Sequence, residues 1–92
     1  MRFRDVDIES FWAGESLPRR VPADCRKALF RRLQMLDAAR SLADLLVPPS
    51  NRLEKPSGNR AGQYSIRINR QWRLCFRWNG TEATEVEFVD YH

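Results

Sequence analysis

No run of about 18 apolar residues occurs in the chain, so no helix in it is built to cross a bilayer. The opening MRFRDVDIES carries no apolar core of the signal-peptide kind, and a cytoplasmic location without membrane contact is the expectation. Histidine occurs once, as His92, so no multi-histidine metal centre can form. H-E-x-x-H, the Walker phosphate loop and G-x-S-x-G are all absent, which sets aside zinc-protease, P-loop and α/β-hydrolase chemistry. A serine or cysteine triad would need its base beside Ser65 or Cys75, and no specific signal supplies one. No metal or cofactor is therefore expected. Cysteine is scarce too: Cys25 and Cys75 stand far apart without metal-like partners nearby, the pattern of reduced, buried thiols. Lysine is limited to Lys27 and Lys55, so nearly all the positive charge is arginine.

What is present suits one small folded domain over residues 1–92, with a single two-layer core. A chain that is 42% hydrophobic and 30% charged is neither disordered nor membrane-like. Sixteen Lys and Arg against 12 Asp and Glu give a net charge of +4. Arginine's planar fork matches phosphate, so the basic balance points to nucleic acid, although it also fits plain solubility.

Arg2, Phe3 and Arg4 read as a short first strand. Asp7 reads as the N-cap of a brief helix over residues 8–13, stopped by Gly14, with Ile8, Phe11 and Trp12 on one face. After a loop with Pro18 and a basic pair, Pro22 fits the first turn of the longest element, a helix over residues 23–40. Its apolar face is Cys25, Ala28, Leu29, Leu33 and Leu36, and Arg26, Lys27, Arg31, Arg32 and Gln34 take the other side. That cationic face is either a solvated exterior or a phosphate-contacting one. Ser41 reads as the cap of a one- or two-turn helix, Leu42–Leu46, ending before Pro48 and Pro49. Residues 47–62 are loop-like; Leu53 and Glu54 are placed as a short strand, and residues 56–59 as a tight turn.

The last third alternates apolar and polar residues strictly along YSIRI and WRLCFRW, the pattern of antiparallel strands with one face in the core. A three-residue hairpin loop at residues 69–71 sets Ile68 opposite Trp72, Ile66 opposite Leu74 and Tyr64 opposite Phe76. It also sets Ser65 opposite Cys75 and Arg67 opposite Arg73 on the open face, where two facing arginines call for an anion or a carboxylate. Asn79-Gly80 marks the next turn. A loop over residues 79–83 that includes a bulge brings Val86 against Phe76, Phe88 against Leu74 and Asp90 near Trp72, with Val89 and Tyr91 sharing Arg73's face.

These residues place acid-base groups beside fixed cations. Metal-independent RNA cleavage needs little more, because the substrate's own 2′-OH is the nucleophile. The run NRLEKPSGNRAGQYSIRINRQWRLCFRW, followed by VEFVDYH, resembles the HigB-type toxins, the plasmid-maintenance system killer proteins of the RelE/ParE superfamily. G-N-R-x-G-Q-Y-S-I-R, Q-W-R-[LI]-C-F and D-Y-H occur together and in order, and the resemblance extends over essentially the whole chain.

The resemblance implies an α+β, RelE-like fold with N-terminal helices packed on a small twisted antiparallel sheet. It implies a ribosome-dependent mRNA endonuclease that cleaves A-site mRNA without a metal, and a cognate helix-turn-helix antitoxin of the HigA kind, through which alone operator DNA would be met. Its active-site positions correspond to Arg73, Asp90, Tyr91 and His92. On that basis His92 would donate or accept the proton, Asp90 would orient it, Tyr91 would stack or relay a proton, and Arg73 would stabilise transition-state charge. Lys55, Arg60 and Arg67 would hold phosphate. The chain departs from some members at two loop positions, where Glu54 and Ser57 replace a histidine and a lysine; Glu54 is left as a contributor able to act as a base. The alternatives are a non-catalytic ParE-like binder acting on gyrase or another partner, and an inactive antitoxin-binding relative.

Overall fold

The computed structural model describes residues 1–55, 58 and 62–90. Two helices, α1 (Val6–Trp12) and α2 (Arg26–Ala38), pack on an antiparallel sheet of β1 (Tyr64–Arg67), β2 (Trp72–Trp78) and β3 (Ala83–Asp90) in the order β1-β2-β3. This is the expected α+β arrangement. The core lies between the layers, where Ile8, Leu29, Leu33 and Leu36 from the helices meet Ile66, Leu74, Phe76 and Val86 from the sheet.

α1 begins two residues earlier than expected. Asp5, not Asp7, occupies the N-cap position, and it makes no capping bond there. Its Oδ2 instead accepts the Phe88 N–H at 2.7 Å and an Arg20 N–H at 2.6 Å. Asp7 sits in the first helical turn and receives Arg20 Nε at 2.8 Å. A distant strand and arginine, through Phe88 and Arg20, fix Asp5 at that position. The stop is as expected, with Gly14 at φ 79° after the last turn.

The predicted helix over residues 23–40 divides into a 3-10 turn, Ala23–Cys25, and α2 proper. It also ends early, at Ala38, with Ala39 extended. The Asp44 carboxylate accepts the Arg40 and Ser41 N–H groups at 2.8 and 3.2 Å, drawing them out of the helical ladder. The same bond, with its Ser41 counterpart, forms a capping box on the 3-10 turn Leu42–Leu46. These donors hold the Asp44 carboxyl below its usual pKa.

The hairpin register is as expected: Tyr64 pairs with Phe76, Ser65 with Cys75, Ile66 with Leu74 and Arg67 with Arg73. Asn69 Oδ1 accepts the Gln71 and Trp72 N–H groups at 2.9 and 2.8 Å, which closes the turn. In the next pair Leu74 meets Phe88, Arg73 meets Val89 and Trp72 meets Asp90, while Trp78 pairs with Ala83. The bulge is not in the connection, as expected, but inside β3, between the Cys75 and Arg77 pairings. Glu85 adopts φ 50° there, and its carboxylate meets Arg77 Nε at 3.1 Å. The connection itself is closed by Asn79 Oδ1, which accepts the Thr81 and Glu82 N–H groups. Both sheet edges are extended as the sequence suggested, by an antiparallel bridge of Glu54 to Ser65 and a parallel bridge of Phe3 to Val86.

Candidate active site

Arg73, the second residue of β2, lies on the face away from the helices. Alternation led to an open polar face, yet Arg73 is only 5% exposed, and Ser65, Cys75 and Glu87 beside it are buried as well. The reason lies at the sheet edge. Backbone bonds of 2.9 and 3.0 Å tie Glu54 to Ser65, so the 52–54 segment runs along β1 and meets the guanidinium. Arg73 Nε donates to Ser65 Oγ at 2.8 Å, and Nη2 donates to the carbonyls of Ser65 and Arg52. Nη1 stands 3.8 Å from Glu54 Oε2, an ion pair longer than a hydrogen bond. A cation taken out of water survives only when its donors are used in this way.

The facing arginines are thus separated by their own partners. Arg67 turns its Nε to the Asn69 carbonyl at 3.1 Å, while Arg73 turns towards Glu54 and Ser65. Lys55 is exposed, its Nζ 6.0 Å from the centre of the Tyr64 ring. Asp90 ends β3 one residue beyond Arg73's strand partner and accepts Gln71 Nε2 at 3.1 Å. Of the residues singled out from the sequence, Arg73 and Glu54 are therefore in contact, and Asp90 and Arg67 flank them through strand pairing. Arg60, Ser57, Tyr91 and His92 lie outside the described residues.

The arrangement has definite chemical content. A cation locked at Nε and Nη2 needs no reorganisation to meet developing negative charge. Glu54, half-exposed at the rim, is a carboxylate of the kind able to act as a base. Cys25 and Cys75 are buried thiols not joined in a disulfide. Burial, with Asp24 adding to it, pushes the Cys25 thiol pKa up, the opposite of what a nucleophile needs.

Sequence reasoning missed Ser65 as Arg73's holder, although the expected register already put it on the same face. It also missed Arg20, whose guanidinium joins Asp5, Asp7 and the Phe88 carbonyl and so ties the end of β3 to α1. Hydrogen bonding to Arg20 lowers the Asp7 carboxyl pKa. Nothing local in the sequence marks that arginine over its neighbour Arg19. A cavity of about 640 Å³ opens between the loop after α1 and α2 among Phe11, Leu17, Arg26, Phe30 and Arg31. It contains none of the residues above.

The chain matches, over residues 1–92, the family described as RelE-like toxin of type II toxin-antitoxin system HigB. It is 44% identical over 92 residues to Toxin HigB-1 of Vibrio cholerae serotype O1, covering 100% of this chain and 96% of that protein. It is 34% identical over 92 residues to an uncharacterised protein of Haemophilus influenzae, covering 98% and 88%. It is 32% identical over 72 residues to Endoribonuclease HigB of Proteus vulgaris, covering 78% and 77%.

Proposed function

The chain belongs to the HigB family of RelE-like toxins of type II toxin-antitoxin systems, and we propose that it acts as one toxin domain that cuts mRNA on the ribosome. A toxin of such a system has an antitoxin partner. In this reading the partner is a HigA-like helix-turn-helix protein, and contact with operator DNA comes through it. The endoribonuclease named for the Proteus relative supports RNA cleavage. Among the described residues no helix is long and apolar enough to cross a membrane, and the cytoplasm, where ribosomes and mRNA are, is the proposed location.

The observation that carries the reading is the buried Arg73, held by Ser65 and the Arg52 carbonyl with Glu54 at its edge. A protein that only gripped a partner would have little use for a desolvated, oriented cation beside carboxylates. In the proposed reaction the 2′-oxygen attacks phosphorus and its proton passes to a base, while the bond to the 5′-oxygen breaks and that oxygen takes up a proton. The products are a 2′,3′-cyclic phosphate and a 5′-hydroxyl. Arg73 stabilises charge on the phosphorane-like transition state. His92 and Tyr91, which follow Asp90 directly, are assigned to proton transfer and base stacking, Asp90 to orienting His92, and Glu54 to a supporting base. Lys55, Arg60 and Arg67 are assigned to phosphate. No metal enters this scheme.

Purified ribosomes programmed with a defined message test it. The wild type cuts in the A-site codon and leaves the cyclic or 3′-phosphate. His92→Gln and Arg73→Ala each lose roughly 100-fold or more in rate while still binding antitoxin. Cleavage at wild-type rate by both variants would sink these roles.

A further inference from the structure

Four arginines meet outside the Arg73 constellation. Arg32 from α2, Arg52 from the loop before β1, Arg67 from β1 and Arg70 from the hairpin turn line one cleft of about 390 Å³. Among the described residues none of the four has a carboxylate within ion-pairing distance, whereas Arg2, Arg4, Arg20, Arg73 and Arg77 all do. Two are held in place from within: Arg32 Nε donates to the Arg67 carbonyl at 2.9 Å, and Arg67 Nε to the Asn69 carbonyl. Burial, with the neighbouring Arg31 charge, lowers the Arg32 pKa. Arg52 sits at φ 45°, with its carbonyl accepting from Arg73 and its side chain in the cleft.

The neutral lining tells what the cleft reads. Asn69 has its oxygen committed to closing the hairpin and its amide donating to Cys25 Sγ, which leaves Ser50 as the remaining polar side chain and Ile68 as the apolar one. Rich in donors and poor in acceptors, the cleft suits the acceptor-only oxygens of a phosphate backbone better than the mixed donor and acceptor edges of bases, and with one small apolar contact it offers no anchor for an amphipathic protein helix. It does offer four forked cations from separate segments, suited to successive phosphates.

We propose that this cleft is an RNA-backbone site that grips consecutive phosphates beside the Arg73 constellation, an inference that rests on the RNA-cutting reading for the identity of its ligand. The Arg52 main chain connects the two sites, so an RNA strand in the cleft lies next to the group that holds Arg73.

The test is binding, not cleavage. A single-stranded 12-nucleotide RNA, 2′-O-methylated so that it cannot be cut, and vacant ribosomes are each titrated with the full-length protein across a salt series. Arg52→Gln/Arg70→Gln removes two exposed cations whose side chains make no hydrogen bond or ion pair among the described residues. Arg2→Gln/Arg19→Gln removes the same charge from the N-terminal segment and from the loop before α2. Each phosphate contact adds about 0.7 to the slope of log affinity against log salt on a single strand. The cleft variant is expected to lose about 1.4 of that slope on the oligonucleotide and bind it roughly tenfold more weakly at 0.1 M salt, with the control variant unchanged. Loss on the oligonucleotide identifies the substrate strand as the ligand, and loss confined to ribosomes identifies ribosomal RNA; both support the cleft. Equal losses in the two variants, no loss on either RNA, or loss of antitoxin binding with RNA binding intact would overturn it. A wild type that cuts mRNA alongside a cleft variant that binds like the control ends this inference alone. A wild type that never cuts, with the slope change present, ends the nuclease reading alone.

Discussion

A guanidinium at 5% exposure is costly unless its donors are met, and Arg73 meets this by bonding to a hydroxyl and two carbonyls that belong to the sheet and its edge. The same bonds aim it. Ser65→Ala removes the acceptor at Nε, and the expected result is a cleavage rate lower by roughly 10- to 100-fold at an essentially unchanged fold, read by single-turnover cutting on programmed ribosomes. Wild-type rate in that variant would mean the hydroxyl does not position the cation. A second residue-scale expectation concerns acid. Asp7 has its pKa lowered by Arg20, so the interaction contributes stability above the unfolded carboxyl value of about 3.9 and is lost as pH falls through the lower folded value. Thermal melts of the wild type and Asp7→Asn should therefore differ at pH 7 and converge below about pH 4. A gap that stayed constant with pH would assign the effect to packing.

At the scale of elements, α2 carries the helical layer through Leu29, Leu33 and Leu36, all at 1% exposure or less. Leu33→Ala leaves a cavity against the sheet and is expected to cost about 2–5 kcal/mol, measured by urea unfolding, without altering the residues around Arg73. The bulge in β3 predicts differently. Glu85 at φ 50° is in a conformation that costs a side chain about 1 kcal/mol or more. Glu85→Gly should thus leave stability level or raise it by up to about 1 kcal/mol, offset by the lost Arg77 pair, whereas Glu85→Val should lower it. If glycine destabilised as much as valine, the ion pair and not the backbone would be what matters there.

Across the whole molecule, the two proposed sites sit where distant segments converge. The Arg73 constellation joins β2, β1 and the 52–54 edge, and the arginine cleft joins α2, that edge and the hairpin turn. With RNA as the proposed ligand, a net charge of +4 in which nearly all the cations are arginine predicts an association that weakens steeply with salt. Because both features use Arg52, one through its carbonyl and one through its side chain, cleavage should prove more salt-sensitive than RNA-independent binding to antitoxin, a comparison made with one preparation over 0.05 to about 0.3 M salt.

Strict alternation through YSIRI and WRLCFRW, together with the turn chemistry of Asn69, was enough to determine the hairpin register and the facing of Arg67 and Arg73; Asp90 stands beside Trp72 as expected, although the bulge that sets it there lies in β3 and not in the connection. Spacing of leucines in α2 was enough to determine its buried face. These are local periodicities, in which each residue's direction follows from its neighbours. What only the tertiary structure decided is whom the polar groups meet. The start of α1 was settled by Phe88 and Arg20, and the end of α2 by Asp44. Arg73 is buried because residues 52–54 close along β1. Each of these depends on a partner far away in the chain or outside the repeating pattern, and periodicity carries no information about such a partner until packing brings it within hydrogen-bonding distance.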